Sequence, residues 1–403
     1  MRMALWHREE HKKVAFVMWS ICSIVQSCQG FAIKWSCCCS VSERLCRTLS
    51  PDALKILRSS PDVDYIAEDG VFSINAAVTQ TNAPWGLARI SQNAELADQN
   101  TNDLTFTYTY DSSAGSGVDI YVVDTGIFTG HSEFGGRAIW GATFGGYADA
   151  DGNGHGTHVS GTAAGSTYGV AKSAHLIAVK VLSDSGSGFV SDIVSGLSWV
   201  ATQVQASGRP SIATMSLGGG ASTPLDNAVA SLTSAGIHVT VAAGNSDTDA
   251  GSTSPARAPS ANTIGATTIA DARASFSNYG SVVDLWAPGQ NVISAWIGST
   301  TATNNISGGT SMATPHVAGL IATIISRDGN ASPASISATL QSLSIKNTIS
   351  GIPSGTINDL ARNEEWMAHL FYSEISWIRG NESFGTTRSV SFTMQRQNSK
   401  SFA

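Results

Sequence analysis

Three side chains that lie far apart in the sequence, Asp124, His155 and Ser311, have the types needed for nucleophilic catalysis. A serine hydroxyl is a weak nucleophile by itself. It becomes reactive when a histidine accepts its proton and a carboxylate orients that histidine. The order acid, histidine, serine along the chain is one of the known arrangements of such a triad. We therefore expect these three residues to meet in one active site.

Ser311 lies where we predict that a tight turn becomes a helix. Small residues at 307–310 precede it, and an apolar run at 317–325 has helical length. The first N–H groups of a helix have no acceptor within the helix, and the helix dipole is positive at that end. Backbone donors at this position can stabilise an oxyanion that develops beside the serine.

Asp124 and His155 follow two different local patterns. Asp124 ends the apolar, β-branched run 118–123, which is typical of a buried parallel strand. In open α/β sheets, sites form at the carboxyl ends of such strands. His155 lies in a glycine-rich segment, 151–156, that opens a predicted helix.

Two further histidines, His158 and His316, lie close to these motifs, and we interpret both as structural. His155 and His158 are three residues apart, but no glutamate occupies the position that a zinc-protease motif requires. His316 lies five residues after Ser311 and therefore points to a different side of the predicted helix.

Residues 81–361 resemble the subtilisin-like serine proteases (peptidase S8), and segment 80–91 resembles the mature N-terminus of their proteinase K branch of fungal secreted proteases. The resemblance rests on that start and on the motifs around Asp124, His155 and Ser311 in this order. It implies a serine-type endopeptidase that cleaves peptide bonds through an acyl-enzyme on Ser311.

The resemblance also assigns an oxyanion donor and a substrate site. Asn245 matches the family's oxyanion asparagine, whose side-chain NH₂ can donate to the tetrahedral intermediate. The implied substrate-binding residues are Gly186, Ser187, Gly188, Ser216, Leu217, Gly218, Ala242, Ala243 and Gly244. The first six resemble two segments between which an extended peptide binds as an added strand. The residues at 216–218 and 242–244 resemble the walls of the specificity pocket. They carry no charge, so we expect a preference for bulky apolar or aromatic side chains before the scissile bond.

A structural calcium site is implied by the same resemblance. Pro259 and Ala261 would supply backbone carbonyls and Asp284 a carboxylate, a ligand set that suits a hard cation. A second family site needs an aspartate near the C-terminus, where this chain has Thr348, and we predict that this second site is absent. The resemblance implies no organic cofactor.

Strand-like and helix-like runs alternate from residue 118 onward. This pattern predicts a doubly wound, mostly parallel sheet in a three-layer α/β domain, preceded by a partial α+β inhibitory propeptide. The strand-like runs are 118–123, 176–182, 212–217, 237–243, 263–267 and 282–287. The helix-like runs are 157–164, 190–207, 224–235 and 311–327.

The chain outside the catalytic domain divides into three predicted segments. Residues 1–30 form a signal or leader, since an apolar run at 14–25 follows a basic start and is too short to span a bilayer. Residues 31–76 form a partial inhibitory propeptide, recognisable from 48 through a helix at 49–58 and a strand at 63–74. The catalytic domain then covers 77–362, with autoprocessing near 76–78. The tail 363–403 remains unassigned. A gene-model artefact is the alternative reading of both chain ends.

Composition limits the class of partner and the cellular compartment. Of the 403 residues only 13% are charged and the net charge is −7, which argues against nucleic acid. All six cysteines precede Thr48, so the predicted catalytic domain has neither a disulfide nor a thiol nucleophile. We expect a secreted monomer that acts on proteins or peptides, is inhibited by its own propeptide and does not bind membranes.

Two other classes of function compete with this interpretation. The first is a folded but inactive protein, either an unprocessed zymogen or a pseudoenzyme that only binds peptides. The second is a nucleotide-binding α/β protein, suggested by the glycines at 152, 154 and 156. That loop lacks the G-x-G-x-x-G spacing and does not directly follow the first strand, so the nucleotide hypothesis is the weaker one.

Overall fold

The computed structural model describes residues 77–363 and three earlier segments, 2–6, 46–48 and 65–68. The chain divides into two compact units, Met1–Ile74 and Asn75–Ala403. The predicted helix at 49–58, the apolar run at 14–25 and the tail beyond 363 lie outside the described residues.

The described part of the first unit is a three-stranded antiparallel sheet. Its strands are β1 (Arg2–Trp6), β2 (Cys46–Thr48) and β3 (Tyr65–Glu68), with β1 in the centre. Strand β3 falls within the strand predicted at 63–74. The sequence pattern does not predict β1, because we assign that segment to the leader.

The second unit contains the strands and helices of the predicted catalytic domain. Its strands are β4 (Ala77–Ala83), β5 (Phe106–Asp111), β6 (Asp119–Asp124), β7 (Ala138–Thr143), β8 (His175–Lys180), β9 (Ser211–Met215), β10 (Gly219–Gly220), β11 (His238–Ala242), β12 (Thr253–Ser254), β13 (Asn262–Thr267), β14 (Leu285–Pro288), β15 (Val292–Ala295), β16 (Thr303–Ile306), β17 (Ile345–Lys346) and β18 (Asp359–Leu360). Its α-helices are α1 (Trp85–Arg89), α2 (His155–Ala164), α3 (Val190–Ser207), α4 (Thr223–Ser234), α5 (Thr310–Asp328) and α6 (Pro333–Leu343).

The central sheet has nine strands in the order β17-β18-β14-β13-β11-β9-β6-β8-β7. Every neighbouring pair from β18 to β7 is parallel, and only β17 at one edge runs antiparallel. The carboxyl ends of the parallel strands therefore lie along one edge of the sheet. The strands that follow β6 in the chain lie first on one side of it (β7 and β8) and then on the other (β9, β11, β13 and β14). This is the arrangement of doubly wound folds, where sites form at the carboxyl edge of the sheet.

Side chains that alternate along β6 enter two different cores. Ile120 and Val122 pack in a cluster that includes α2 and α5, whereas Tyr121 and Val123 pack in a cluster with α3 and α4. Successive residues of a strand point to opposite faces of the sheet, so helices cover both faces. The predicted three-layer α/β fold is confirmed.

Helix α5 has a long, continuously buried stretch in the core of the domain. Every residue from Met312 to Ile325 is buried, and α5 packs against α2 and against β9, β11, β13 and β14. A Cβ atom on Gly319 would lie 2.9 Å from the carbonyl oxygen of Ala163 in α2. Glycine at this position therefore permits a close approach of the two helix backbones. In the described part of the chain no helix combines the length and the apolar composition of a membrane span.

Candidate active site

Asp124 and His155 form a hydrogen-bonded pair at the carboxyl edge of the sheet. Asp124 is the last residue of β6 and is fully buried, and its Oδ1 lies 2.7 Å from Nδ1 of His155. His155 is the first residue of α2, and its side chain is 25% exposed. Because an ionised carboxylate only accepts hydrogen bonds, Nδ1 carries the proton and Nε2 is left with a lone pair. The histidine is thus arranged as a base.

The protonation of His155 responds to two opposing effects. Burial lowers its pKa, but the negative charge of Asp124 and the hydrogen bond to it, with a smaller contribution from Asp151, raise the pKa above the ordinary value of 6.5. The net result is a stabilised imidazolium, which is the form that a general base must adopt during the reaction.

Ser311 is the second residue of α5, and its hydroxyl donates to the carbonyl oxygen of Ser216 at 3.1 Å. In return the Ser216 hydroxyl donates to the Ser311 carbonyl at 2.8 Å. In this rotamer the Ser311 hydroxyl does not bond to His155. At the second position of the helix the Ser311 N–H has no acceptor within the helix.

The sheet brings the serine and the histidine to neighbouring strand ends. Strand β6, which ends at Asp124, pairs directly with β9, and Ser216 follows the last residue of β9. The histidine is bonded to the first of these strand ends and the serine to the second. The three predicted triad residues therefore lie at two neighbouring strand ends on the same edge of the sheet.

Asn245 follows the end of β11 and is held by the first residue of α5. Its Oδ1 accepts hydrogen bonds from the Thr310 N–H at 2.8 Å and from the Thr310 hydroxyl at 2.9 Å. The Thr310 N–H can only donate, so the Asn245 atom that faces it is the amide oxygen, and this fixes which way the Asn245 amide is oriented. Its NH₂ group then points away from Thr310, and it makes no hydrogen bond to the described part of the protein.

The predicted substrate-binding segments follow the strands on either side of β6. Gly186, Ser187 and Gly188 come after β8 and are exposed, and Ser216, Leu217 and Gly218 come after β9. Since β6 lies between β8 and β9, the acid of the pair lies between the two segments. Ala242, Ala243 and Gly244 come at the end of β11, which pairs with β9 through Val241 and Met215. The two predicted pocket walls thus extend from neighbouring strands.

One side chain close to the pair, Asp151, had no role in the sequence interpretation. Asp151 Oδ1 accepts from the Thr125 hydroxyl at 2.9 Å and from the N–H groups of Asn153 and Gly154 at 3.1 and 2.9 Å. Its Oδ2 accepts from the N–H and the hydroxyl of Thr157 at 3.0 and 2.5 Å. Asp151 therefore fixes the turn that presents His155. The signal in the sequence is an acid four residues before the histidine, within the same glycine-rich motif.

His158 and His316 occupy structural positions, as expected. His158 is fully buried, its Nε2 lies 2.9 Å from the Val292 carbonyl oxygen, and burial lowers its pKa to about 3. His316 is also buried, its Nδ1 lies 2.9 Å from the Met312 carbonyl oxygen, and burial lowers its pKa to about 4. Both imidazoles are neutral over the physiological pH range and bond to the backbone.

The predicted calcium ligand Asp284 lies directly before β14. Its Oδ2 accepts a hydrogen bond from the Thr263 N–H at 2.8 Å, and it forms no ion pair within the described residues. Burial raises its pKa to about 6. A partly buried carboxylate without a cationic partner fits a bound cation. The described residues contain no group of three or more His, Cys, Asp or Glu side chains that could hold a metal ion, so any such cation would need backbone carbonyls among its ligands.

A buried acid bonded to a histidine, a serine at the start of a central helix and a side-chain amide beside it lie together on a doubly wound sheet. This combination defines the molecule as a serine hydrolase of the α/β class.

Comparisons with known proteins identify the family. The profile of the subtilase family (Peptidase_S8) matches residues 115–363, and the chain belongs to this family of serine proteases. It is 48% identical over 318 residues to a cuticle-degrading protease of Metarhizium anisopliae, covering 78% of this chain and 79% of the relative. It is 50% identical to subtilisin-like protease 2 of Pseudogymnoascus destructans, covering 76% of this chain and 74% of the relative. The crystal structure of a cold adapted subtilisin-like serine proteinase aligns with a TM-score of 0.64 at 46% identity, covering 70% of this chain and 99% of that one.

Proposed function

We propose that this protein is a secreted serine endopeptidase that hydrolyses peptide bonds through an acyl-enzyme on Ser311. The observation that carries the proposal is the 2.7 Å contact between His155 Nδ1 and Asp124 Oδ1, beside the strand end at which Ser311 is bonded. This contact leaves Nε2 of His155 as the base.

In the first half of the reaction, the Ser311 hydroxyl turns from the Ser216 carbonyl to Nε2 of His155. The histidine removes the hydroxyl proton as Oγ forms a bond to the substrate carbonyl carbon. Asp124 keeps the imidazole in the required tautomer and stabilises its positive charge. The imidazolium then gives the proton to the amine as the C–N bond breaks, leaving the acyl-enzyme.

The developing oxyanion is stabilised by Asn245 and by the backbone at the start of α5. The Asn245 NH₂ and the Ser311 N–H are both donors without an acceptor among the described residues, and they donate to the substrate oxygen as it becomes negative. Because Thr310 already fixes the Asn245 amide through two hydrogen bonds, little reorganisation is needed. Water then attacks the acyl carbon, with His155 again as the base, and Ser311 recovers its proton.

The substrate binds as an extended peptide between 186–188 and 216–218, with its side chain before the scissile bond in a pocket bounded by 216–218 and 242–244. This pocket has small, uncharged walls, which favours bulky apolar or aromatic side chains. Phe189 and Val190 directly follow Gly188, and their side chains are 75% and 40% exposed. They offer apolar surface to substrate residues that lie further from the scissile bond. A peptide series that varies this one position tests the pocket: kcat/KM should be higher with Phe or Leu than with Arg or Lys. The reverse order would exclude an apolar pocket.

One structural calcium ion would be held by Asp284 with the carbonyls of Pro259 and Ala261. The ion would neutralise the buried carboxylate and tie β14 to the turn before β13. No catalytic step involves it.

The segment before residue 77 acts as an intramolecular inhibitor until it is cleaved, and the mature enzyme is a secreted monomer. The resemblance of 49–74 to the second half of an inhibitory propeptide supports this zymogen. The apolar run at 14–25, of signal-peptide length, and the names of fungal proteases among the relatives support secretion.

Labelling with a fluorophosphonate tests the proposal against a peptide-binding pseudoenzyme. The probe reacts only with an activated serine, so the wild-type chain should be labelled and the Ser311→Ala variant should not. Mass spectrometry of the labelled protein should place the adduct on Ser311. An unlabelled wild type with a correctly folded domain would favour the pseudoenzyme.

A further inference from the structure

Lys180, the last residue of β8, is a fully buried lysine to which the proposed mechanism gives no task. It is paired in register with Asp124 on the neighbouring strand. A buried ammonium is costly unless each of its N–H groups finds an acceptor, and lysine is seldom fully buried otherwise. Its partners therefore indicate what the side chain holds in place.

The Lys180 ammonium bonds to three oxygens, one beside Asp124 and two in the segment that follows β8. It donates to the Thr125 carbonyl at 2.6 Å, to the Leu182 carbonyl at 2.8 Å and to Asp184 Oδ1 at 2.9 Å. Thr125 directly follows Asp124. Leu182 and Asp184 lead into the exposed segment 186–188.

Two further hydrogen bonds connect Asp184, a partner of the ammonium, to the turn before His155. The Gly152 N–H donates to Asp184 Oδ1 at 3.3 Å, and the Asn153 NH₂ donates to the Asp184 carbonyl at 2.9 Å. Asn153 Oδ1 in turn accepts from the His155 N–H at 3.2 Å. A Cβ atom on Gly152 would lie 2.2 Å from Asp184 Oδ2, so glycine is needed for this contact.

We propose that Lys180 is a positioning residue that holds the substrate-binding segment 186–188 against the strand end that carries Asp124. The inference rests on the proposed function, since it takes 186–188 as the segment that binds the peptide upstream of the scissile bond. Without the ammonium, the Thr125 and Leu182 carbonyls lose their common donor, and the segment is no longer tied to the catalytic residues. A displacement of about 1 Å at such a site can cost about 100-fold in rate.

The length of the substrate separates positioning from general loss of stability. A single-residue ester reaches the triad and the oxyanion donors but not 186–188, whereas a tetrapeptide amide contacts that segment. In Lys180→Met, which keeps most of the side-chain volume, we expect kcat/KM for the tetrapeptide to fall about 10- to 100-fold. For the ester we expect a fall of about threefold or less. Active-site titration with the fluorophosphonate corrects both values for the fraction of folded enzyme.

Lys172→Met is a matched control. Lys172 also donates to three backbone carbonyls, those of Ser166, Thr167 and Gly169, but on the loop that follows α2. Its removal should lower the melting temperature without changing the ratio of tetrapeptide to ester activity. Equal losses on both substrates in Lys180→Met, or the same change of ratio in Lys172→Met, would overturn the proposal.

Asp184→Ala keeps the proposal testable if Lys180→Met does not fold. The Asp184 side chain is 60% exposed, so water can take its place as the third acceptor of the ammonium, and its removal spares the Lys180 bonds to the two carbonyls. We expect a smaller loss, about two- to fivefold, again confined to the tetrapeptide. An unchanged tetrapeptide rate would count against the proposal. If the wild-type chain cleaves neither substrate, the proposed function itself fails, which is a different outcome from a loss that does not depend on length.

Discussion

Asp124 and Ser216 each stand two residues beyond Val122 and Thr214, the last pair that joins β6 to β9. From these two positions the sheet holds the remaining members of the site: His155 is bonded to Asp124, and the Ser311 hydroxyl to the Ser216 carbonyl. His155 and Ser311, the proposed base and nucleophile, come from the first turns of two helices that pack against each other. Their proximity therefore follows from strand order and helix packing rather than from a local loop.

The pH dependence of activity should reflect the raised pKa of His155. A general base is active when neutral, so kcat/KM should fall as the pH decreases through a midpoint above 6.5. Asp124→Asn removes the charge and the hydrogen bond that raise this pKa, and the midpoint should move to lower pH. The same change should lower kcat by about 10⁴-fold, because the amide no longer selects the required tautomer. Asp119→Asn, at the other end of β6, is the control and should leave the midpoint in place.

Asn245→Leu should lower kcat by about 100- to 1000-fold and change KM little, because the amide is proposed to donate only to the transition state. Thr310→Val removes one of the two bonds that orient the amide and should cause a smaller loss. Steady-state kinetics on one peptide amide measures both variants. Ser246→Ala, at the next exposed position, should behave as wild type. A change in KM alone for Asn245→Leu would instead assign the residue to ground-state binding.

Strands buried on both faces were predictable from the sequence because they are short runs of small, apolar and β-branched residues without charged side chains. The run predicted at 212–217 is β9 (Ser211–Met215), and the run at 263–267 is β13 (Asn262–Thr267). Strand β7 was missed. Its Gly141 interrupts the pattern at an irregularity in the pairing with β8, where a Cβ would lie 2.7 Å from Ile177 and Trp199. Unlike β13, which is buried throughout, β7 is a partly exposed edge strand, and the irregularity at its glycine breaks the regular alternation by which such a strand is recognised.

The chemical groups of the site were likewise easier to predict than the groups that hold them. Asp124, His155, Ser311 and Asn245 lie in motifs whose residue types suit the chemistry, and the structure brings them to one edge of the sheet. Many of the bonds made by Asp151, Thr310 and Lys180 use backbone N–H and carbonyl groups, which every residue has. Backbone contacts leave almost no trace in residue type, so these partners became visible only with the fold.

Asp151→Asn should weaken the turn that presents His155. Five hydrogen bonds converge on this carboxylate, and an amide in either orientation directs its NH₂ at groups that also donate. We expect a loss of about 3 kcal/mol in the free energy of unfolding, measured by denaturant titration. The acid limb of kcat/KM should also move to lower pH, because the charge of Asp151 contributes to the raised pKa of His155. Asp149→Asn, an exposed change in the same loop, should affect neither quantity.

Asp284 should make the stability of the domain depend on both pH and calcium. In metal-free protein its carboxyl group titrates near 6 when folded and near 3.8 when unfolded. The unfolded chain therefore releases this proton first, and stability should fall by up to about 3 kcal/mol as the pH rises from 3.8 to 6. A bound calcium ion favours the ionised carboxylate and should reverse this loss above pH 6. Melting temperatures with calcium and with chelator should thus differ more at pH ~8 than at pH ~5, where protons compete with the ion.

Asp284→Asn isolates the contribution of this carboxylate. The neutral amide carries no buried charge, so the metal-free melting temperature at pH ~8 should rise while the response to calcium disappears. Asp328→Asn, at the exposed end of α5, should retain the calcium response of the wild type. A response to calcium that persists in Asp284→Asn would mean that the ion binds elsewhere. The absence of any response in the wild type would remove the calcium site from the proposed function while leaving the catalytic assignment intact, because no step of the reaction uses the ion.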